Sequence, residues 1–552
     1  MVSYLITLLI TLMVLRGPKR IYLFLLCFTA FSCEKAKISE DSSADFGAVG
    51  TSSYQTQALL ADGTTFKNML GVNAFEWNFL QNPADPNNGM QIYEPKMQLI
   101  KSFAGVRHYL DWSKIESEQG KYTFNPTRSG GWNLDAMYQR CKADNVDLLV
   151  CLKTCPDWLL QTYPGDQRDN ENVPMPYGAD KKQPESYILQ AKAGFQFAAR
   201  YGSTAQQDMS LVSVNSTPRW TGDQVNIVKT GMNLVKYIEC DNERDKWWKG
   251  DKAYQTAEEY AANLSAFYDG HKGKLGKGVG IKAADPNMQV VMAGLAKTDV
   301  NYVAAMIEWC KKNRGYRADG SVDLCFDVIN FHLYSNDHET HGGTATQGIA
   351  PELSEAAKVA RDFVALGQKY NLPVWVTEAG YDINEHSPQR AIAIGTKSAL
   401  LTQADWTIRT SLLYARNGIK KVFFYMLYDD NPSSWTQYAS SGLVTGDLKR
   451  KPAAEYVAQA KNLLGDYVYQ KTISQNPLVD VYKKGTTSIY VLMMADQTGK
   501  GVYYTLSVPG KQKAYTHNLR TGYTTTLTKT VNVVNGGVRI KVTETPLFIE
   551  VQ

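Results

Sequence analysis

Residues 146–152 read VDLLVCL, a run in which apolar side chains stand at successive rather than alternate positions. Such a run suits a strand covered on both faces, as in a parallel sheet flanked by helices. Working outward, comparable runs recur along the chain. The expected strands are Asn68–Asn73, Gly105–Tyr109, Asp147–Leu152, Leu234–Glu239, Gln289–Gly294, Asp327–His332, Pro373–Glu378 and Lys421–Leu427. Stretches of helical period separate them, among them Asp135–Ala143, Ala257–Tyr268, Val303–Lys312, Leu353–Lys369 and Ala404–Arg416. Alternating strands and helices imply a parallel sheet. Eight units in about 400 residues match an α/β (β/α)8 TIM barrel with insertions. The largest insertion, Thr154 to Asn233, follows the third strand. A doubly wound fold is the rival, but no glycine-rich phosphate loop opens the first unit.

The grammar changes after Gly465. Short β-rich segments (VDVYKK, SIYVLMMA, GVYYTLSV, KAYTHNLR, TTTLTKTV, GVRIKV, PLFIEV) are separated by Gly, Asn or Lys turns. They read as a small all-β antiparallel sandwich. The expected organisation is a catalytic barrel over residues 61–470 and a β-sandwich over 471–552.

The N-terminus reads as an address. Two apolar runs, YLITLLITLMVL and IYLFLLCFTAFS, flank Arg16, Lys19 and Arg20, and the second ends at Cys33. Basic flank, apolar run and closing small residues are the anatomy of a secretory signal. The closing Cys33 resembles the bacterial lipoprotein box, although Phe31 departs from its usual small residue. Residues 1–33 are therefore expected to be a signal peptide with a lipidated cysteine, and 34–60 a polar tether. The alternative is an ordinary signal or a single membrane anchor. The expected location is exported and membrane-anchored, periplasmic or at the cell surface. Of the remaining six cysteines, Cys310 and Cys325 flank a polar loop and are a candidate disulfide. None has the paired spacing of a zinc site.

Composition narrows the function classes. The chain of 552 residues is 44% hydrophobic and 20% charged, ordinary for a globular protein. Its formal net charge of +5 is small, and the three basic residues of the signal supply most of it. A dedicated nucleic-acid binder is excluded on that ground. The 33 Tyr and 11 Trp suit sugar binding and cores alike.

Chemistry is expected at the C-terminal ends of the barrel strands, where side chains converge. LVKYIE runs into Cys240-Asp241-Asn242-Glu243, and PVWVTE stops at Glu378. Carboxylates ending strands 4 and 7 face each other across the mouth. Two carboxyls about 5–5.5 Å apart are what retaining glycoside hydrolysis requires. Glu378 then attacks the anomeric carbon, while Glu243 protonates the leaving oxygen and later activates water.

With these residues the chain resembles the clan A glycoside hydrolases, and families 39 and 5 are nearest in pattern. Several positions carry the resemblance. Asn242 precedes Glu243 as in the clan's Asn-Glu pair, which implies that its amide binds the sugar 2-hydroxyl. Arg107, in GVRHYLDW, matches the arginine that holds the nucleophile ionised. His332 and Tyr334, in FHLYS, match its His-x-Tyr, whose tyrosine hydrogen-bonds the nucleophile. The segment SGLVTGDLKRKPAAEY, ending at Tyr456, is similar to the return into the eighth helix. Asp241 and Arg244 depart from the residues usual beside Asn-Glu. Strand 8 ends in Tyr425-Met426-Leu427-Tyr428 and lacks the tryptophan often found beneath the sugar, so Tyr428 or Trp435 is the expected substitute.

Trp158 and Trp435 are the expected sugar-stacking residues. Trp112, Trp220, Trp247 and Trp248 also fall in strand-end loops, and Asn73 and Glu76 are possible polar sugar contacts. His332, His338 and His341 form H-x5-H-x2-H, which invites a metal reading, but strands 1 and 5 supply no matching ligands. No metal or cofactor is expected. The expected partner is a polysaccharide or oligosaccharide, acted on by a monomer. The rival functions are a non-catalytic glycan-binding lipoprotein on the same barrel and a metal-dependent hydrolase.

Overall fold

The computed structural model describes residues 64–552. The export signal 1–33 with Cys33, the tether 34–60 and the barrel's first three expected residues lie outside the described residues. Eight parallel strands follow one another around a barrel: β1 (Gly71–Ala74), β2 (Gly105–Asp111), β3 (Asp147–Lys153), β4 (Tyr237–Cys240), β5 (Gln289–Met292), β6 (Ile329–His332), β7 (Val374–Ala379) and β8 (Lys421–Phe424). Each pairs with its sequence neighbour, and β8 pairs with β1. The seam between β5 and β6 is joined by two parallel bridges, Val291 with Val328 and Leu295 with Phe331. The fold is the expected α/β barrel.

Strand boundaries differ from expectation for local reasons. Phe66–Met69 forms a 3₁₀ turn, so β1 starts at Gly71. There a Cβ would lie 2.4 Å from Phe423 Cδ1 and 2.7 Å from the Val422 carbonyl, so only glycine lets β1 approach β8. The insertion after β3 is interrupted by helix Ile188–Tyr201, the barrel's third helix. The segment between that helix and β4 therefore belongs to the opposite end of the barrel from the strand-end loop 154–187.

Inward-facing residues fill the barrel in layers. Leu149, Val291, Val328, Trp375 and Phe423 form an apolar layer toward the strand starts. Above it Asn73, Arg107, Glu239 and Asn330, all with zero exposure, form a polar one. A recess of about 730 Å³ opens beneath the apolar layer, between Asn68, Asp147, Tyr237 and Lys484. It lies at the strand starts, the end of the barrel opposite to the expected chemistry.

After helix Pro452–Leu464 the chain is antiparallel β: β9 (Val468–Gln475), β10 (Leu478–Lys484), β11 (Thr487–Met493), β12 (Val502–Ser507), β13 (Lys513–Asn518), β14 (Leu527–Asn532), β15 (Gly537–Val542) and β16 (Leu547–Val551). Six form one sheet in the order β14-β13-β16-β11-β10-β9, and β12 pairs with β15 as a separate ribbon. Leu506, Val538 and Val542 of the ribbon share a core with Val479, Leu492 and Ile549 of the sheet.

The sheet is fastened to the barrel through helix Ala399–Arg416. Arg416 forms an ion pair of 2.7 Å with Asp480 on β10, whose side chain is fully buried. Cys310 and Cys325 face each other at 3.5 Å as buried free thiols, so the candidate disulfide is not formed. Asp480→Ala leaves the Arg416 guanidinium buried without its carboxylate. The expected cost is about 3 kcal/mol, read as a lower Tm in calorimetry, whereas an unchanged Tm would mean the sheet does not brace the barrel.

Candidate active site

The site begins with Arg107. Its guanidinium, with no exposed surface, bonds Glu239 through Nε (2.6 Å) and Nη2 (3.1 Å). Nη1 reaches Glu378 Oε1 at 3.0 Å and Asn73 Oδ1 at 3.0 Å, and Nη2 also reaches Asn242 Oδ1 at 2.8 Å. One buried cation thus ties together β1, β2, β4, β7 and the turn after β4. A charge removed from water must be compensated at close range, and Glu239 and Glu378 do so.

Glu378 is held from both oxygens. Tyr109 donates to Oε1, as does Arg107, and Tyr334 donates to Oε2 at 2.8 Å. Burial opposes ionisation of this carboxyl, but the charges of His332 and Arg107 and the two phenol hydrogen bonds outweigh it. Its pKa lies below the usual glutamate value. Both phenols are pushed far above ordinary tyrosine values, chiefly by burial, and so remain donors.

Glu243 lies on the facing side. Its Oε1 is 2.8 Å from His332 Nδ1, while His332 Nε2 is 3.0 Å from the Thr377 hydroxyl. Thr377 Oγ1 already accepts from Asn330 and faces Glu239 at 3.4 Å. Burial disfavours the imidazolium, but Glu378 and Glu243 outweigh it and raise the His332 pKa. Gly294 makes room for this ring, because a Cβ there would sit 2.0 Å from Nε2. Ligand atoms of Glu243, His332 and Glu378 lie within 4.8 Å of one another. That spacing would admit a cation, but Arg107 already occupies the inner side of Glu378. His338 and His341 do not join the group: His338 bonds Asn336, and His341 pairs with Asp337.

The turn that presents Glu243 is tight, with Asp241 at φ 69° and Glu243 at φ 49°. Asp241 and Arg244, which depart from the usual sequence, clasp it. Arg244 Nη1 bonds Asp241 Oδ2 at 3.1 Å, and Nη2 bonds the Ala253 carbonyl at 2.6 Å. The two opposite charges pair within the turn. Asn242 Oδ1 is committed to Arg107, which leaves its Nδ2 as the group free to donate.

Six of the eight expected site residues therefore come together: Glu243, Glu378, Arg107, Asn242, His332 and Tyr334. Two do not. Trp158 donates its indole N–H to the Glu116 carbonyl at 2.9 Å and packs edge-on against Trp112, so it is a packing residue. Trp435 is 71% exposed and rests against His386. Tyr428 lies under Lys96, away from the carboxylates. The aromatic residue beside them is Tyr425, with its ring 6.1 Å from Tyr109 and 5.9 Å from Tyr438. Asn73 is a fully buried scaffold residue bonded to Arg107 and the Thr377 carbonyl, and Glu76 is fully buried against Lys114 and His108. Trp220, Trp247 and Trp248 are exposed on the surface.

Tyr109, Glu239, Thr377, Tyr425 and Tyr438 were not anticipated. Two of them carried a signal. Tyr109 stands two positions after Arg107, hence on the same strand face, and Glu239 is a lone carboxylate in an apolar strand.

No family model and no curated protein matches this chain. Among solved structures it is similar to a family 39 glycoside hydrolase from the gut symbiont Bacteroides cellulosilyticus WH2. That match has a TM-score of 0.60 and 16% identity, over 89% of this chain and 82% of the other. It is also similar to the family 30 subfamily 8 xylanase Xyn30A from Clostridium acetobutylicum, with a TM-score of 0.51 and 11% identity, over 87% and 95% of the two chains. At these identities the likeness establishes the barrel fold.

The two displaced pKa values carry a stability signature. His332, raised above its ordinary 6.5, contributes stability fully below pH 6.5 and loses it as pH climbs through the folded value. Glu378, lowered from 4.5, contributes above pH 4.5 and loses it as pH falls through the folded value. The Tm gap between wild type and His332→Asn is expected to narrow as the pH rises above 6.5. The gap to Glu378→Gln is expected to narrow below pH 4.5. Gaps independent of pH would contradict the charge states assigned here.

Proposed function

We propose that this chain is a retaining glycoside hydrolase acting on a polysaccharide or oligosaccharide by double displacement. The observation that carries the reading is the pair Glu243 and Glu378 at the ends of β4 and β7. Their oxygens lie within 4.8 Å, close to the separation of about 5–5.5 Å that direct attack on a sugar requires. The hydrolases of families 39 and 30 on the same barrel support it.

In the first step Glu378 forms a bond to the anomeric carbon as the bond to the leaving oxygen breaks, and the Glu243 proton passes to that oxygen. In the second, Glu243 takes a proton from water. The resulting hydroxide oxygen bonds the anomeric carbon, and Glu378 leaves as carboxylate. Arg107, Tyr109 and Tyr334 keep Glu378 ionised and orient it. Asn242 Nδ2 is placed to donate to the sugar hydroxyl next to the anomeric carbon. His332 bridges the two carboxylates, 2.8 Å from Glu243 and 3.5 Å from Glu378, and fixes their separation. A glycan-binding protein without catalysis has no need of three donors converging on one buried carboxylate. We further propose that the enzyme is exported and held at a membrane by a lipidated Cys33, which would bring it to extracellular glycans.

The test is hydrolysis of a panel of 4-nitrophenyl glycosides, with the anomer of the first product read by proton NMR. Retention is expected, and inversion would rule out the covalent intermediate. Glu378→Gln is expected to lose turnover by roughly 10⁴-fold or more with an intact fold at neutral pH. Glu243→Ala is expected to slow alkyl glycosides far more than activated aryl glycosides, since only the former need protonation of the leaving group. Equal losses on both would remove Glu243 from the acid role.

A further inference from the structure

Two phenols at the site have no protein partner. Tyr425 and Tyr438 are half-buried, their rings pack together, and neither hydroxyl is bonded or sealed from solvent among the described residues. Of the two, Tyr438 is held in the less ordinary way. It sits in the loop after β8 at φ 73°, a left-handed conformation that a side-chain-bearing residue rarely adopts. Such a conformation persists only where its surroundings impose it.

Here the loop after β7 imposes it. Asp382, with no exposure, accepts the Tyr438 backbone N–H at 2.9 Å and the Ser387 hydroxyl. Ser440 Oγ accepts from the backbone N–H groups of Ile383 (3.2 Å) and Asn384 (3.0 Å). Gln437 donates to Gln389 at 2.7 Å. The two loops are stapled at four places, and the Tyr438 ring is set against Tyr334, 4.8 Å between centroids. Tyr334 is the residue that donates to Glu378. Burial, followed by the negative charges of Glu243, Glu378 and Asp382, pushes the Tyr438 phenol far above its ordinary value. It is therefore a neutral donor and acceptor, carried on a ring packed beside the Tyr334 that bonds Glu378, and the sugar ring undergoing reaction must lie between Glu243 and Glu378.

We propose that Tyr438 is a specificity-determining residue whose phenol binds a hydroxyl of the sugar held between Glu243 and Glu378, and that Asp382 is the positioning residue that sets it there. The proposal rests on the glycosidase reading above. A packing role for the ring alone would leave the hydroxyl without use, and would not call for a buried carboxylate to hold the backbone in a left-handed turn.

The experiment uses the full chain and the 4-nitrophenyl glycoside that the wild type hydrolyses best, together with its monodeoxy analogues. Tyr438→Phe keeps the ring and removes the phenol oxygen. It is expected to lower kcat/KM about 3–10-fold, the usual effect of one neutral hydrogen bond, at unchanged Tm. The ratio of wild type to Tyr438→Phe should fall to one on a single deoxy analogue, the one lacking the bound hydroxyl. Asp382→Asn retains a carbonyl oxygen for the Tyr438 N–H and should keep that discrimination, whereas Asp382→Ala should lose it. A ratio equal on all analogues would overturn the role of Tyr438. Discrimination surviving in Asp382→Ala would overturn that of Asp382. Failure of the wild type on the whole glycoside panel would instead strike the reading underneath.

Discussion

A guanidinium with no exposed surface cannot be left uncompensated, and the rest of the barrel mouth follows from how Arg107 is compensated. Taking one ion out of water costs several kcal/mol even after relaxation. Glu239 takes two of its N–H groups, and Glu378 and Asn73 share another. These partners come from β4, β7 and β1, so the ion sets the register at which three strands meet. Glu378 is half of this compensation, and its ionised state is therefore a structural requirement as well as a chemical one. His332 supplies the second cation on the open side. Glu378 and Glu243 share that cation, 3.5 and 2.8 Å from His332 Nδ1 respectively.

That arrangement also explains why the carboxylates are not equivalent although both end apolar strands. Glu378 is part of β7 itself, and its side chain is fixed by four donors or cations. Glu243 stands three residues beyond β4 on a turn with two left-handed residues, and its side chain pairs with His332. An attacking group benefits from being immobile, since misplacement by an ångström costs rate steeply. A group that must protonate, deprotonate and admit water benefits from greater exposure. The side chains are 8% and 18% exposed, respectively.

Much of this was legible in the residues alone, for a physical reason. Strands buried on both faces announce themselves as apolar runs, and a charged residue ending such a run has few places to go. Glu378 is of that kind, and Glu243 follows such a run within a few residues, while Arg107 and the His332-x-Tyr334 pair were legible through the resemblance to clan A barrels. What was not legible depends on distance in sequence. Asn73 and Glu76 looked like possible polar sugar contacts at a strand end, yet burial assigned them to Arg107 and to Lys114 with His108. Trp158 looked like a sugar platform, but its N–H is taken by a carbonyl 42 residues away. Nothing local marks such partners.

The aromatic floor shows the same limit from the other side. An exposed tryptophan such as Trp435 advertises itself in a loop, whereas the position beside the carboxylates is filled by Tyr425 and Tyr438, ordinary residues in a chain with 33 tyrosines. The exchange has a chemical consequence. A tryptophan offers a sugar a broad apolar face with a donor at one edge, but a phenol offers a smaller face and an oxygen that both donates and accepts. On the proposed reading, two such oxygens, unbonded among the described residues, make this end of the site a reader of hydroxyl positions rather than a flat stacking surface. A site built to bond a hydroxyl rejects a sugar lacking it more strongly than a stacking surface does, because its own polar group is then left unpaired. On the proposed reading, selectivity among glycones rests with the loops after β7 and β8, while the reaction rests with β7 and the turn after β4.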